Sequence, residues 1–376
     1  MYQHKISFGL IAVFLLFSCS EDPTEPVPSP PVPADLNDGW TVASLSSAGI
    51  NHEPIAWLSA AIKTGQFGNI HALLIVRNAK LVFEEYYGVY DVNKFHDLAS
   101  VTKSIVSLLV GMAVDHGYLQ NIDQPVVNFF PEYADIFAAD SAKRKITIRH
   151  LLSMSSGLEW DEWSYSYSHQ MNSHFQMQRS ADWLKFVLER PLINEPGSTF
   201  TYNSGGSMLL GGIINNSCDM YADQWAETVL FEPLGISGFQ WDKNSAGLVH
   251  TGGGLHMRPR DLAKIGYLVL NRGSWNGEQI VAESWIDSST AVSINVWPEV
   301  NYGFQWWLRK LPEQGGMSTT PNDIIHGWGY GGQFLFIIPR LDMVVVAHSW
   351  NTDERETAPL SFLYDFIIPA VSSSTF

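Results

Sequence analysis

The chain of 376 residues carries two cysteines, Cys19 and Cys218. Cys19 falls in an N-terminal leader, so the body of the protein holds one thiol and closes no internal disulfide. Cys218 lies inside a helical pattern, IINNSCDMYADQW, and reads as a buried structural cysteine rather than a catalytic thiol. Charge is also scarce. Only 16% of residues are Asp, Glu, Lys or Arg, and 22 basic residues face 38 acidic ones, for a net charge of −16. Such a balance repels phosphate backbones and argues against a nucleic-acid partner. Three familiar catalytic signatures are missing as well. Without a G-x-S-x-G elbow the α/β-hydrolase fold is disfavoured. There is no HExxH pair, no zinc-ligand spacing among the 12 histidines and no P-loop. Glycines 252–254 lack the flanks of a dinucleotide site, so no cofactor and no metal are expected.

What is present begins with a leader. MYQHK is a short basic start, and ISFGLIAVFLLF is an apolar run of signal-peptide length, too short to span a bilayer. The following LFSC resembles the lipobox of bacterial lipoproteins. That resemblance implies cleavage before Cys19, acylation of its thiol and amine, and an exported lipoprotein held on the periplasmic or cell-surface side of a membrane. Residues 20–38 are rich in proline with acidic and small residues, a composition that buries no core and reads as an extended tether.

Beyond the tether, residues 39–376 leave ample length for a large core. HALLIVRNAKLVFEEYYG (71–88) reads as a hairpin around an Asn-containing turn, and QFLFIIPRLDMVVVAHSW (333–350) as another, turning at residues 339–342. GFQWWL (303–308) reads as a further strand. Between the ends run helical patterns. Ile105, Leu108, Leu109 and Met112 form an i, i+3, i+4, i+7 stripe, and 147–154, 180–190, 205–217, 221–231 and 258–273 follow, the last with Gly273 as its stop. The expectation is a mixed α/β (α+β) fold: an antiparallel sheet flanked by helices and built from both termini, with an all-helical insertion. The boundaries are 1–18 signal peptide, 19–38 tether, 39–95 with 250–376 as the mixed domain, and 96–249 as the mostly helical one.

The chemistry concentrates in HDLASVTKSIVSLLV (96–110). Ser100 and Lys103 are three apart at the head of a helix, so they share a face. Serine needs a base within hydrogen-bond reach to act as a nucleophile. A lysine with a free pKa of about 10.4 is protonated at neutral pH and serves only if burial lowers that value. The apolar residues that follow supply the burial, and the helix N-terminus favours an alkoxide over an ammonium.

This stretch resembles the serine β-lactamase and penicillin-binding-protein superfamily, in which S-x-x-K opens the central helix. RHLLSMSSGLEW (149–160), TYNSGGSMLLGGII (201–214), residues 252–281 and HGWGYGGQFLFIIP (326–339) follow in that family's order, so the resemblance covers about residues 70–365. It implies a β-lactamase/transpeptidase-like fold and an acyl-enzyme on Ser100. It makes Tyr202 a third catalytic residue, whose anion a cationic Lys103 would favour; which of Lys103 and Tyr202 takes the serine proton stays open. It places an oxyanion hole at the backbone N–H groups of Ser100 and Tyr330. The second motif, Tyr-x-Asn in β-lactamases, is Tyr202-Asn203-Ser204 here. The Lys-Thr-Gly or His-Thr-Gly motif is absent, with His326 and Trp328 near its place. Similar departures occur in the family's carboxylesterases and 6-aminohexanoate-oligomer hydrolases. The expectation is a carboxylesterase or non-lactam amide hydrolase acting on a small ester or amide. A β-lactamase or D-Ala-D-Ala carboxypeptidase, with His326 standing in for the lysine, and a non-catalytic binder of cell-wall fragments are the alternatives. Aromatics are abundant, with 14 Trp. The segment LEWDEWSYSYSHQ (158–170) reads as a pocket wall, with Trp160 and Trp163 against an apolar acyl or alcohol group.

Overall fold

A computed structural model describes residues 28–313, 316–317, 319–320 and 322–371. The expected signal peptide, Cys19 and the start of the tether lie outside these residues. The end of the tether is docked on the domain: the Ala34 carbonyl accepts from Arg260 at 2.8 Å, and Asp38 pairs with the same guanidinium at 3.1 Å.

The core element is a nine-stranded sheet. Its order is Thr41–Val42, Lys80–Tyr86, Ile70–Arg77, Met343–Ser349, Gln333–Ile338, Ile324–Gly329, Trp307–Arg309, Val300–Tyr302 and Ile294–Trp297. All neighbours are antiparallel except the first pair. N-terminal and C-terminal strands meet at the centre, where Ile70–Arg77 pairs with Met343–Ser349. The mixed antiparallel architecture built from both termini is thus observed. Asn78 and Ala79 both take positive φ, 51° and 59°, the geometry that a two-residue hairpin needs to follow the strand twist.

Every residue of Ile70–Arg77, Gln333–Ile338 and Met343–Ser349 is buried, because both faces are covered. Side chains alternate between two cores. Leu73, Ile75, Phe334, Phe336 and Val345 pack with the helix His52–Lys63 and the C-terminal segment Ala358–Ala370. Leu74, Val76, Leu335, Val344 and Val346 pack on the other side. That second core continues without a break through the helix Val101–Asp115 into Phe130, Ile213 and Trp225, so sheet and helical region share one apolar interior.

Two local expectations need correction. The Val101–Asp115 helix is not amphipathic; every residue from Val101 to Ala113 is buried. One of its buried polar residues is held by a neighbouring turn: Ser104 Oγ donates to the Gln305 carbonyl at 2.8 Å. Residues 303–306 are also not strand. They turn between Val300–Tyr302 and Trp307–Arg309, with Gln305 at φ 62°. The Gln305 amide reaches inward to the carbonyls of Leu151 and Leu152 at 3.1 Å, while its oxygen accepts from Ser207 at 2.7 Å.

The helix Pro259–Leu270 meets the sheet at Gly266. A Cβ there would lie 2.6 Å from Val344 Cγ1 and 2.7 Å from Leu335 Cδ1, branched side chains fixed in central strands. Gly266→Ala is therefore expected to overpack this contact and cost about 1–3 kcal/mol. A denaturant titration should show a lower midpoint at unchanged slope.

Candidate active site

Asp97, at the end of the short strand His96–Asp97, accepts the Ala99 N–H at 2.8 Å. Ala99 itself sits at φ 44°, a left-handed conformation unusual for alanine and one that costs roughly 1 kcal/mol or more. This bend swings the chain from strand to helix and sets Ser100, half-buried, at the head of Val101–Asp115. One turn on, Lys103 is buried. Its Nζ lies 2.7 Å from Ser100 Oγ and 2.6 Å from the Gly252 carbonyl. Gly252 must lack a side chain, because a Cβ would fall 2.9 Å from the Ser204 carbonyl. Tyr202 completes the group, its ring centroid 5.0 Å from Lys103 Nζ.

The electrostatics divide the roles. Burial lowers the Lys103 amine to about 8, against an opposing pull from the Glu162 carboxylate. Burial pushes the Tyr202 phenol well above its ordinary value; Glu162 adds to the rise and the Ser100 hydrogen bond opposes it. The expectation that Lys103 would favour a Tyr202 anion is therefore corrected. Burial brings the amine down to about 8, while the phenol is held in its protonated form.

Glu162 is the residue that sequence reasoning missed. It is buried beside the triad and accepts four hydrogen bonds. Oε1 takes the Ser204 hydroxyl at 2.7 Å and the Tyr167 hydroxyl at 3.1 Å; Oε2 takes the Ser204 N–H at 2.9 Å and the Trp160 indole N–H at 2.5 Å. Ser204 opens the helix Ser204–Cys218, so this carboxylate sits at a helix N-terminus. The only hint in the sequence was an acid among the aromatics of EWDEW. A histidine pair with Nε2 atoms 3.0 Å apart, His250 buried and His174 half-buried, was likewise unforeseen.

The other expected residues divide. The turn Gly329-Tyr330-Gly331-Gly332 lies against the segment that leads into Ser100: a Cβ at Gly329 would be 2.4 Å from the Leu98 carbonyl. Ser349 Oγ donates to the carbonyls of Gly331 (2.7 Å) and Gly332 (2.9 Å), fixing the turn that carries the Tyr330 N–H. Trp163 is half-exposed and stacks on Tyr202 at 5.1 Å. Trp160 does not line a pocket; it is buried against Phe186 and Gly205. Ser204 is held by Glu162 rather than offered to substrate. His326 points away from Ser100. In Ile324–Gly329 alternate residues face opposite sides, and Gly327 faces Val101. His326 therefore lies buried among Phe334 and Phe336, accepting from Arg309 Nε at 3.1 Å. Trp328, on the same side, stacks on Phe334 and reaches Trp307 at the sheet's end. Cys218 is buried, its thiol pushed up to about 12 by burial. Among the described residues no group of three or more His, Cys, Asp or Glu could hold a metal ion.

A mixed sheet with a buried S-x-x-K helix defines a serine hydrolase of the β-lactamase/transpeptidase fold. The profile of the Beta-lactamase family matches residues 70–363, and the chain belongs to that family. It is 25% identical over 300 residues to the 6-aminohexanoate-dimer hydrolase of Paenarthrobacter ureafaciens, covering 74% of this chain and 72% of that one. Among solved structures, it resembles EstCE1, a hydrolase with promiscuous acyltransferase activity, at TM-score 0.68 and 16% identity over 90% of this chain and 100% of that one. It also resembles a penicillin binding protein from Bacillus halodurans at TM-score 0.61 and 16% identity, over 81% and 98%.

With the Lys103 amine lowered to about 8 by burial, the unprotonated fraction grows as pH rises through that value. The rate of Ser100 labelling by a fluorophosphonate should climb between about pH 7 and 9 with a midpoint near 8. Glu162 raises the Lys103 value, so Glu162→Gln should move this midpoint to lower pH.

Proposed function

We propose that the protein is a carboxylesterase or non-lactam amide hydrolase working through an acyl-enzyme on Ser100. One observation carries this reading: Lys103 Nζ, buried, lies 2.7 Å from Ser100 Oγ with its pKa lowered to about 8. The neutral amine takes the Ser100 proton as Oγ bonds to the carbonyl carbon, and the oxygen gathers negative charge against the Ser100 and Tyr330 N–H groups. The proton then passes from the Lys103 ammonium by way of Tyr202, still a phenol, to the leaving oxygen or nitrogen as its bond to the acyl carbon breaks. Water repeats the sequence to release the acid.

The orientation of His326 supports an ester or neutral amide over a β-lactam. This residue was the candidate replacement for the lysine that holds a substrate carboxylate, and it is buried on the opposite face of the sheet. The relative named for 6-aminohexanoate-dimer hydrolysis and the resemblance to a hydrolase with acyltransferase activity agree with acyl transfer outside lactams. We propose in addition that Cys19 is lipid-modified and anchors the domain to a membrane, with residues from 20 onward as its tether. Cys19→Ser should abolish incorporation of labelled palmitate.

Ser100→Ala should cut hydrolysis of p-nitrophenyl butyrate by at least about a thousandfold, and Tyr202→Phe by about a hundredfold in kcat. Nitrocefin turnover measured beside the ester should be far slower. Ester activity retained in Ser100→Ala overturns the assignment, and nitrocefin as the better substrate overturns the esterase reading.

A further inference from the structure

Four aromatic rings from three separate parts of the chain lie close to parallel beside the site. Trp163 stacks on Tyr202 at 5.1 Å and 17°, and on Trp297 at 5.5 Å and 27°. Trp307 stacks on Trp297 at 5.7 Å and 10°, and on Tyr202 at 5.8 Å and 22°. Trp307 is buried and braced edge-on by Tyr302 at 4.9 Å and 83°. Trp163 and Trp297 instead leave 49% and 37% of their surface open, beside the site and next to each other. Trp297 also lines a groove of about 590 Å³, the size of a small-molecule site. The charged groups of that groove, and its two asparagines, are matched to one another. Lys310 pairs with Glu299 at 2.8 Å, and the Asn295 amide donates to Asn301. The groove therefore offers no uncompensated charge and suits a neutral ligand.

We propose that Trp163, Trp297 and Trp307 form a platform that selects substrates with a flat, neutral, aromatic leaving group. This rests on the acyl-enzyme reading above. The platform adjoins Tyr202, the residue assigned to protonate the leaving group, which puts it on that side of the scissile bond. A planar ring extends an offset stack of parallel rings, whereas a saturated ring of similar volume gains the apolar contact without the stacking. Trp297, shared with the groove, carries the selection outward from the reacting centre.

The test compares benzyl butyrate with cyclohexylmethyl butyrate, whose leaving alcohols are similar in size and acidity. The wild-type kcat/KM should favour the benzyl ester by about tenfold. Trp297→Ala should cut that ratio about fivefold, and Trp297→Phe, which keeps a ring, should retain most of it. A ratio near one in the wild type, or one unchanged in Trp297→Ala, overturns the platform. Calorimetric titration of the Ser100→Ala protein with the two esters gives a readout free of turnover. A tighter Kd for the benzyl ester supports the platform, and equal Kd values overturn it. Failure of the wild type to hydrolyse either ester overturns the acyl-enzyme reading instead, and the calorimetric result then decides the platform by itself.

Discussion

The constraint on which the site depends is the burial of one amine. Lys103 enters the interior because the helix that carries it has no solvent face; sheet, neighbouring helices and the Gln305 turn enclose it from every side. Lowering its pKa from 10.5 to about 8 corresponds to a penalty of about 3 kcal/mol on the charged form. The folded state binds fewer protons at this position than the unfolded chain does. The cost is fully present below about pH 8 and fades as pH rises towards 10.5. The apolar core offsets this cost, and the amine gives up its proton near pH 8 rather than above pH 10. The strained Ala99 is a second, smaller cost at the same place, one residue before Ser100.

Glu162 limits how far this can go. A bare cavity would lower the amine further; a carboxylate nearby pulls it back and at the same time raises Tyr202. The two partners of Ser100 are thereby spread apart, one prone to lose its proton and one prone to keep it, which suits a base and a proton donor acting in turn. Glu162 can occupy this position because Ser204 supplies two of its four donors, from its hydroxyl and from the first N–H of a helix. The departure at the third place of the Tyr-x-Asn motif thus has a structural counterpart: serine there serves an internal carboxylate.

Local features of the site were legible in the sequence. The Ser100–Lys103 contact follows from helical spacing alone, and the two hairpins follow from short apolar runs around turn residues. Features set by pairing at long range were not. The Glu162–Ser204 contact joins residues 42 apart in the chain, and the Gly252 carbonyl that holds Lys103 is 149 residues from it. Trp160 and Trp163 look alike in the aromatic segment, yet one belongs to the core and the other stacks on Tyr202. Nothing short of packing separates them. His326 was misread for a related reason. Alternation along a strand shows which residues share a face, but register alone decides which face meets the nucleophile helix.

That same strand explains why recognition has to come from elsewhere. On the side facing the helix it carries Gly327 and Gly329, and both are obligatory in space: a Cβ would approach Val101 Cγ1 at 2.9 Å and the Leu98 carbonyl at 2.4 Å. No long cationic side chain fits where the backbone itself has been drawn against the helix. On its other side, His326 and Trp328 pack among Phe334 and Phe336. The strand can offer backbone N–H groups to an oxyanion but no side-chain charge to a substrate carboxylate. Under the platform proposed above, discrimination between substrates falls to the elements beside Tyr202, the 158–170 segment with Trp163 and the Ile294–Tyr302 hairpin with Trp297. Both present aromatic faces, which on that proposal shifts the chemistry of selection from ion pairing to stacking.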